Sequence, residues 1–109
     1  MTRFPLLLAA VAWTISLIPP PDVKADVDTP IQAVVLDGKG APLKNAKVDM
    51  TVTMVEMDHG EFKHEAKEAK PGNYNATAKF LMAGTWNVKV KVQKGSESAV
   101  KDFKIEVKQ

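Results

Sequence analysis

The chain predicts an all-β fold, a small antiparallel β-sandwich, and three features carry that expectation. Apolar and polar residues alternate with a period of two through residues 46–54, 74–82 and 86–92. That is the spacing of strands that bury one face only. Turn chemistry separates the runs at Asp37-Gly38-Lys39-Gly40, Pro71-Gly72-Asn73 and Lys94-Gly95-Ser96. Short half-buried strands divided at such intervals build sandwiches.

The N-terminus comes first in the chain and stands apart from this pattern. Arg3 is the only early positive side chain, residues 4–18 form a nearly uncharged apolar run, and Pro19-Pro20-Pro21 follows. With Val23 and Ala25 at −3 and −1, residues 1–25 read as a secretory signal peptide cleaved after Ala25. A retained anchor is the rival reading, but the run is shorter than the roughly 20 residues that span a bilayer. Either way the chain is expected to be exported, into the periplasm or another extracytoplasmic space. Cleavage would leave 84 of the 109 residues and, by removing Arg3, Lys24 and Asp22, change the net charge from +2 to +1.

Strands are expected in order after that point. Residues 31–36 are rich in β-formers and lead into the Asp37 turn. Ala46, Val48, Met50, Val52 and Met54 then share one parity, facing away from Lys47, Asp49, Thr51 and Thr53. Residues 61–70, EFKHEAKEAK, carry good helix formers, and Phe62, Ala66 and Ala69 would share a helical face. As a strand the same stretch puts Phe62, His64 and Ala66 on one side, and its hairpin-like flanks favour the strand. Tyr74, Ala76, Ala78, Phe80 and Met82 make the next alternation, Trp86, Val88, Val90 and Val92 another, and Phe103, Ile105 and Val107 the last. The expected core is Ala46, Val48, Met50, Val52, Ala78, Phe80, Trp86, Val88, Val90, Phe103 and Ile105. The result is one small domain near the lower size limit for a self-sufficient core.

Composition narrows the chemistry. No cysteine is present, so thiolate ligation, disulfides and cysteine catalysis are excluded, although export would permit disulfides. Beyond Arg3 the basic residues are all lysines, scattered without an aromatic stripe, which argues against a nucleic-acid surface. Ser96 and Ser98 lie far in sequence from either histidine, and no Gly-rich phosphate loop or helical His/Glu pair is present. An enzyme is therefore not expected.

The stretch MVEMDHG, residues 54–60, stands out, since it gathers Met54, Met57 and His59 where a strand is ending. Thioethers are soft and uncharged and select Cu(I) over Mg²⁺, Ca²⁺ or Zn²⁺, and imidazole suits copper in either oxidation state. Gly60 lets the backbone turn sharply after His59. The expected ligands of one Cu(I) are thus Met54, Met57 and His59, with His64 or Met82 completing the set from neighbouring strands. Met50, mid-strand on the apolar face, is expected to be core only. Glu56 and Asp58 read as solvated loop charges, or as carboxylates that orient a ligating imidazole. A metal-free module that binds a protein partner is the alternative, since small sandwiches often do only that.

The stretches DGKGAPLKNAKVDMTV, MVEMDHG and PGNYNATAKFLMAGTWNVKVKV resemble the YtkA-like domain, related to FixH-type proteins. The shared elements are the A-x-V strand at Ala46 and Val48, the M-x-x-M-x-H loop at Met54, Met57 and His59, Gly72 with Tyr74, and the M-x-G-x-W-x-V strand from Met82 to Val88. Where the family often carries proline between the two methionines, this chain has Val55-Glu56. The resemblance implies an immunoglobulin-like sandwich of the cell envelope that handles copper. Its expected partners are a copper-accepting membrane oxidase or a copper transporter, in oxidase assembly or copper tolerance.

Overall fold

The computed structural model describes residues 12–58 and 60–109, and among them it contains seven strands and no helix. They are β1 (Thr14–Ile18), β2 (Asp28–Leu36), β3 (Lys47–Met54), β4 (Phe62–Lys70), β5 (Asn73–Lys79), β6 (Gly84–Lys94) and β7 (Glu97–Val107). The order across the sheet is β1-β2-β5-β4-β3-β6-β7, with every neighbouring pair antiparallel. The fold is all-β, as the alternation predicts.

β4 joins the two halves of the sheet. Its first residues pair with β3, Met50 opposite His64 and Val52 opposite Phe62, while Lys67, Glu68 and Lys70 pair with β5. The partner changes between Ala66 and Lys67, and the register with β5 shifts farther on, between Glu68 and Lys70. Helix propensity in residues 61–70 is overridden because both edges of this strand are taken up by ladder bonds. The halves face each other across one core, with Ile31, Ala33, Val35, Tyr74 and Ala78 on one side and Val48, Met50, Val52, Val88 and Val90 on the other.

Trp86 is fully buried and sets its ring edge-on to Phe80, with centroids 5.5 Å apart at 72°. Tyr74 ties the core to the β2–β3 connection: its hydroxyl donates to Leu43 O at 2.7 Å and accepts from Ala46 N. Burial raises the Tyr74 phenol above its ordinary pKa. In the turn after β2, Asp37 accepts from the Lys39 and Ala41 amides, and the Ala41 bond does most to hold its carboxyl below the usual range. Gly72 has φ of +78°, and a Cβ there would stand 2.8 Å from Pro42 and 2.9 Å from Val35 O, so only glycine closes this hairpin.

Two expected core residues are less covered than the alternation implies. Phe103 lies on β7, which has no strand beyond it, and Lys101 reaches over its ring at 5.3 Å. Ala46 precedes β3 and is half-buried. Met82 departs from the parity of Tyr74 and Phe80, because β5 ends at Lys79 and the chain turns before β6, leaving Met82 exposed.

The N-terminal segment holds a strand inside the stretch that reads as a leader. β1 pairs with β2 over five residues, from Thr14 opposite Leu36 to Ile18 opposite Gln32. Ile15 is only 4% exposed and Val23 is buried. Beyond the prolines, Ala25 N donates to Lys108 O at 2.7 Å, Lys108 N to Val23 O at 2.8 Å and Asp26 N to Phe80 O at 2.6 Å. This strap ties the N-terminal segment to the end of β7 and to the β5–β6 turn.

Two outcomes follow from this packing. Trp86→Ala should cost about 3–5 kcal/mol in chemical denaturation, the loss typical of a fully buried tryptophan. A chain begun at Asp26 should melt at lower temperature than one begun at Trp13, since burial of Ile15 alone is worth roughly 1.5–3 kcal/mol. Equal melting of the two would show that β1 adds nothing to the fold.

Candidate metal site

Antiparallel pairing of β3 with β6 brings two methionine-bearing segments to one end of the sheet. Met54, the last residue of β3, stands opposite Trp86. One step on, Val55 N donates to Thr85 O at 2.9 Å, and Thr85 N donates to the Glu56 carboxylate at 3.1 and 3.3 Å. The 55–58 loop is thereby bonded to the first residues of β6. The β5–β6 turn is fixed from inside, because the buried Trp86 donates Nε1–H to Met82 O at 2.8 Å.

Gly84 lets these pieces meet. Its φ is +143°, and a Cβ built there would lie 2.6 Å from Met54 Cε and 3.1 Å from Glu56 Oε1. The tips of Met54 and Glu56 occupy the space that any side chain at position 84 would need.

The predicted ligands are distributed unevenly. Met54 is 9% exposed and packs into the core edge, whereas Met57 and Met82 are 51% and 42% exposed. Met54, Met57 and Met82 all belong to the two joined segments. His59 lies outside the described residues. On either side of it, Gly60 N donates to Asp58 Oδ1 at 2.9 Å, and Gly60 has φ of +84°. Asp58 thus works as a turn-closing carboxylate.

His64 sits elsewhere. It is half-buried opposite Met50, and Met50 precedes Met54 by four residues of extended strand, about 13 Å at the usual rise. The structure does not bring His64 to the Met54 end. Met50 is fully buried, in keeping with a packing role.

Two features escape a reading of the sequence alone. Glu56 reads as a solvated charge, but its partner is the Thr85 amide, 29 residues away. The Trp86 indole reads as pure core, yet its N–H holds the Met82 carbonyl. The spacing M-x-G-x-W hints at the second, since an indole N–H needs an acceptor when buried. Among the described residues no three His, Cys, Asp or Glu side chains cluster, and the two joined segments carry the thioethers of Met54, Met57 and Met82. Such a set fits a soft monovalent ion and not a hard divalent one.

An all-β domain with paired methionine loops at one end is the class that fold and site define. The YtkA-like family model matches residues 8–91, and the chain belongs to that family. The matched stretch takes in β1, both methionine segments and most of β6. No curated protein matches the chain. Among solved structures it is similar to the crystal structure of a conjugative transposon lipoprotein from Bacteroides eggerthii DSM 20697. That likeness has a TM-score of 0.48 at 10% identity and covers 87% of this chain and 97% of the other. Among the described residues no helix is long and apolar enough to cross a membrane.

Gly84→Ala should disturb this end specifically. A positive φ held by a non-glycine residue costs about 1–3 kcal/mol, and the new methyl must displace the Met54 and Glu56 tips. The variant should lose stability by that amount and show altered Met54 methyl resonances, while the Met50 methyl shift stays at its parent position.

Proposed function

We propose that the chain is an exported copper-binding protein, a Cu(I) carrier or buffer and not a catalyst. It would act in copper-enzyme assembly or copper tolerance. The observation that carries this reading is the joining of the two methionine segments, with Met54 against Gly84 and with Met57 and Met82 exposed on those segments. Three thioethers carried on bonded segments at a surface end suit a soft ion that must be taken up and passed on. His59 would add the basic nitrogen that thioethers lack. Ligand exchange with a partner, such as a copper-accepting oxidase or a copper transporter, needs the ion near solvent. Exposure of Met57 and Met82 provides that access. The apolar N-terminal run supports export, and the extent of any leader must be weighed against β1, which a cut after Ala25 would remove.

A second reading has its own support. Val55, Met57, Leu81 and Met82 are all exposed apolar side chains of these same two loops. Such a patch also suits a metal-free module that docks a protein partner.

Titration of the purified protein with Cu(I) under reducing conditions separates the two. One equivalent should bind, and Met57→Leu, Met82→Leu and His59→Ala should each weaken binding without unfolding the domain. Met50→Leu, a volume-conserving change in the core, should leave the affinity unchanged. Parent-like binding by the Met57 and His59 variants would remove the loop as the site. Absence of any Cu(I) uptake would leave the docking module as the better reading.

A further inference from the structure

In an antiparallel ladder a hydrogen-bonded pair exchanges two bonds, each residue donating its N–H to the other's carbonyl. Met54 pairs with Trp86, so the next opposed pair is Val55 with Thr85. Only half of that exchange involves backbone on both sides. Val55 N donates to Thr85 O, but Thr85 N donates to the Glu56 carboxylate at 3.1 and 3.3 Å. The Glu56 side chain has taken the place of the Val55 carbonyl. The backbone is thereby freed to leave the sheet after Met54, yet the loop stays bonded to β6. A carboxylate on a backbone N–H is also a stronger acceptor than the amide it replaces.

The same side chain touches the methionine site. Glu56 Oε1 and Met54 Cε both lie over the bare face of Gly84, within 3.1 and 2.6 Å of where a Cβ would be. Met57 follows Glu56 by one residue, in the loop that this carboxylate holds. We infer that Glu56 is a positioning residue of the methionine site: by ending β3 and pinning the 55–58 loop to Thr85, it keeps the Met57 thioether at the same end as Met54 and Met82. This rests on the copper reading above, and it assigns Glu56 no bond to the ion.

The test compares the full chain with Glu56→Ala and Glu56→Gln, using Cu(I) alone as the metal probe. Glutamine keeps an oxygen that accepts from Thr85 N, whereas alanine removes it. Alanine should lower Cu(I) affinity by about 10–100-fold, the range for outer residues that orient ligands. Glutamine should restore most of it, with circular dichroism of both variants matching the parent. In the metal-free protein, exchange of the Thr85 amide should accelerate in the alanine variant and stay near parent rates in the glutamine variant. Parent-like Cu(I) binding by the alanine variant would overturn the inference. An equal fall in both variants would do so too, since charge and not the hydrogen bond would then be responsible. If the parent takes up no copper, the copper reading fails, and the Thr85 exchange rates decide by themselves whether Glu56 holds the loop.

Discussion

The seating of Trp86 is the constraint on which the rest of the structure depends. Its ring is the largest fully buried side chain, set edge-on against Phe80, and it stands on β6 opposite Met54, the last residue of β3. Burying an indole requires an acceptor for its N–H, and Met82 O supplies it. A demand of the core therefore dictates the path of the β5–β6 turn. Packing and site geometry are coupled through one side chain.

From that anchor the exposed end is built by substitution of one hydrogen-bond partner for another. Where the ladder would continue, a carboxylate stands in for a carbonyl. Where a side chain would project, Gly84 leaves room for Met54 and Glu56. The 55–58 loop therefore remains held to the sheet although it has left the strand. The cost of ordering this loop is thereby met on folding, before any partner binds.

The composition of the N-terminal segment would suit either of two physical ends. An apolar run after a basic residue is what an export leader needs, and β-branched and aliphatic residues in that run are also what an edge strand needs. Thr14 to Ile18 lies along β2 in full register, and the strap from Val23 to Asp26 bonds to Lys108 and Phe80. Hydropathy alone cannot divide such a run, since it measures transfer from water and not the partner that receives the side chain.

Much of the fold was legible because a period of two is a local property. Val48, Met50 and Val52 on β3, and Trp86, Val88 and Val90 on β6, declare their buried face without reference to any other strand. The turns at Asp37 and Gly72 are equally local, set by side-chain acceptors and by φ. Residue types that suit soft-metal chemistry were also visible, at Met54, Met57, His59 and Met82. What the sequence did not contain was proximity. The pairing of β3 with β6 brings the Met54 and Met82 segments together, while the pairing of β3 with β4 sets His64 beside Met50 instead. The bond from Thr85 to Glu56 and the loss of Met82 from the core arise the same way. Each depends on which strand lies next to which, and that is decided by the closure of one core across all seven strands.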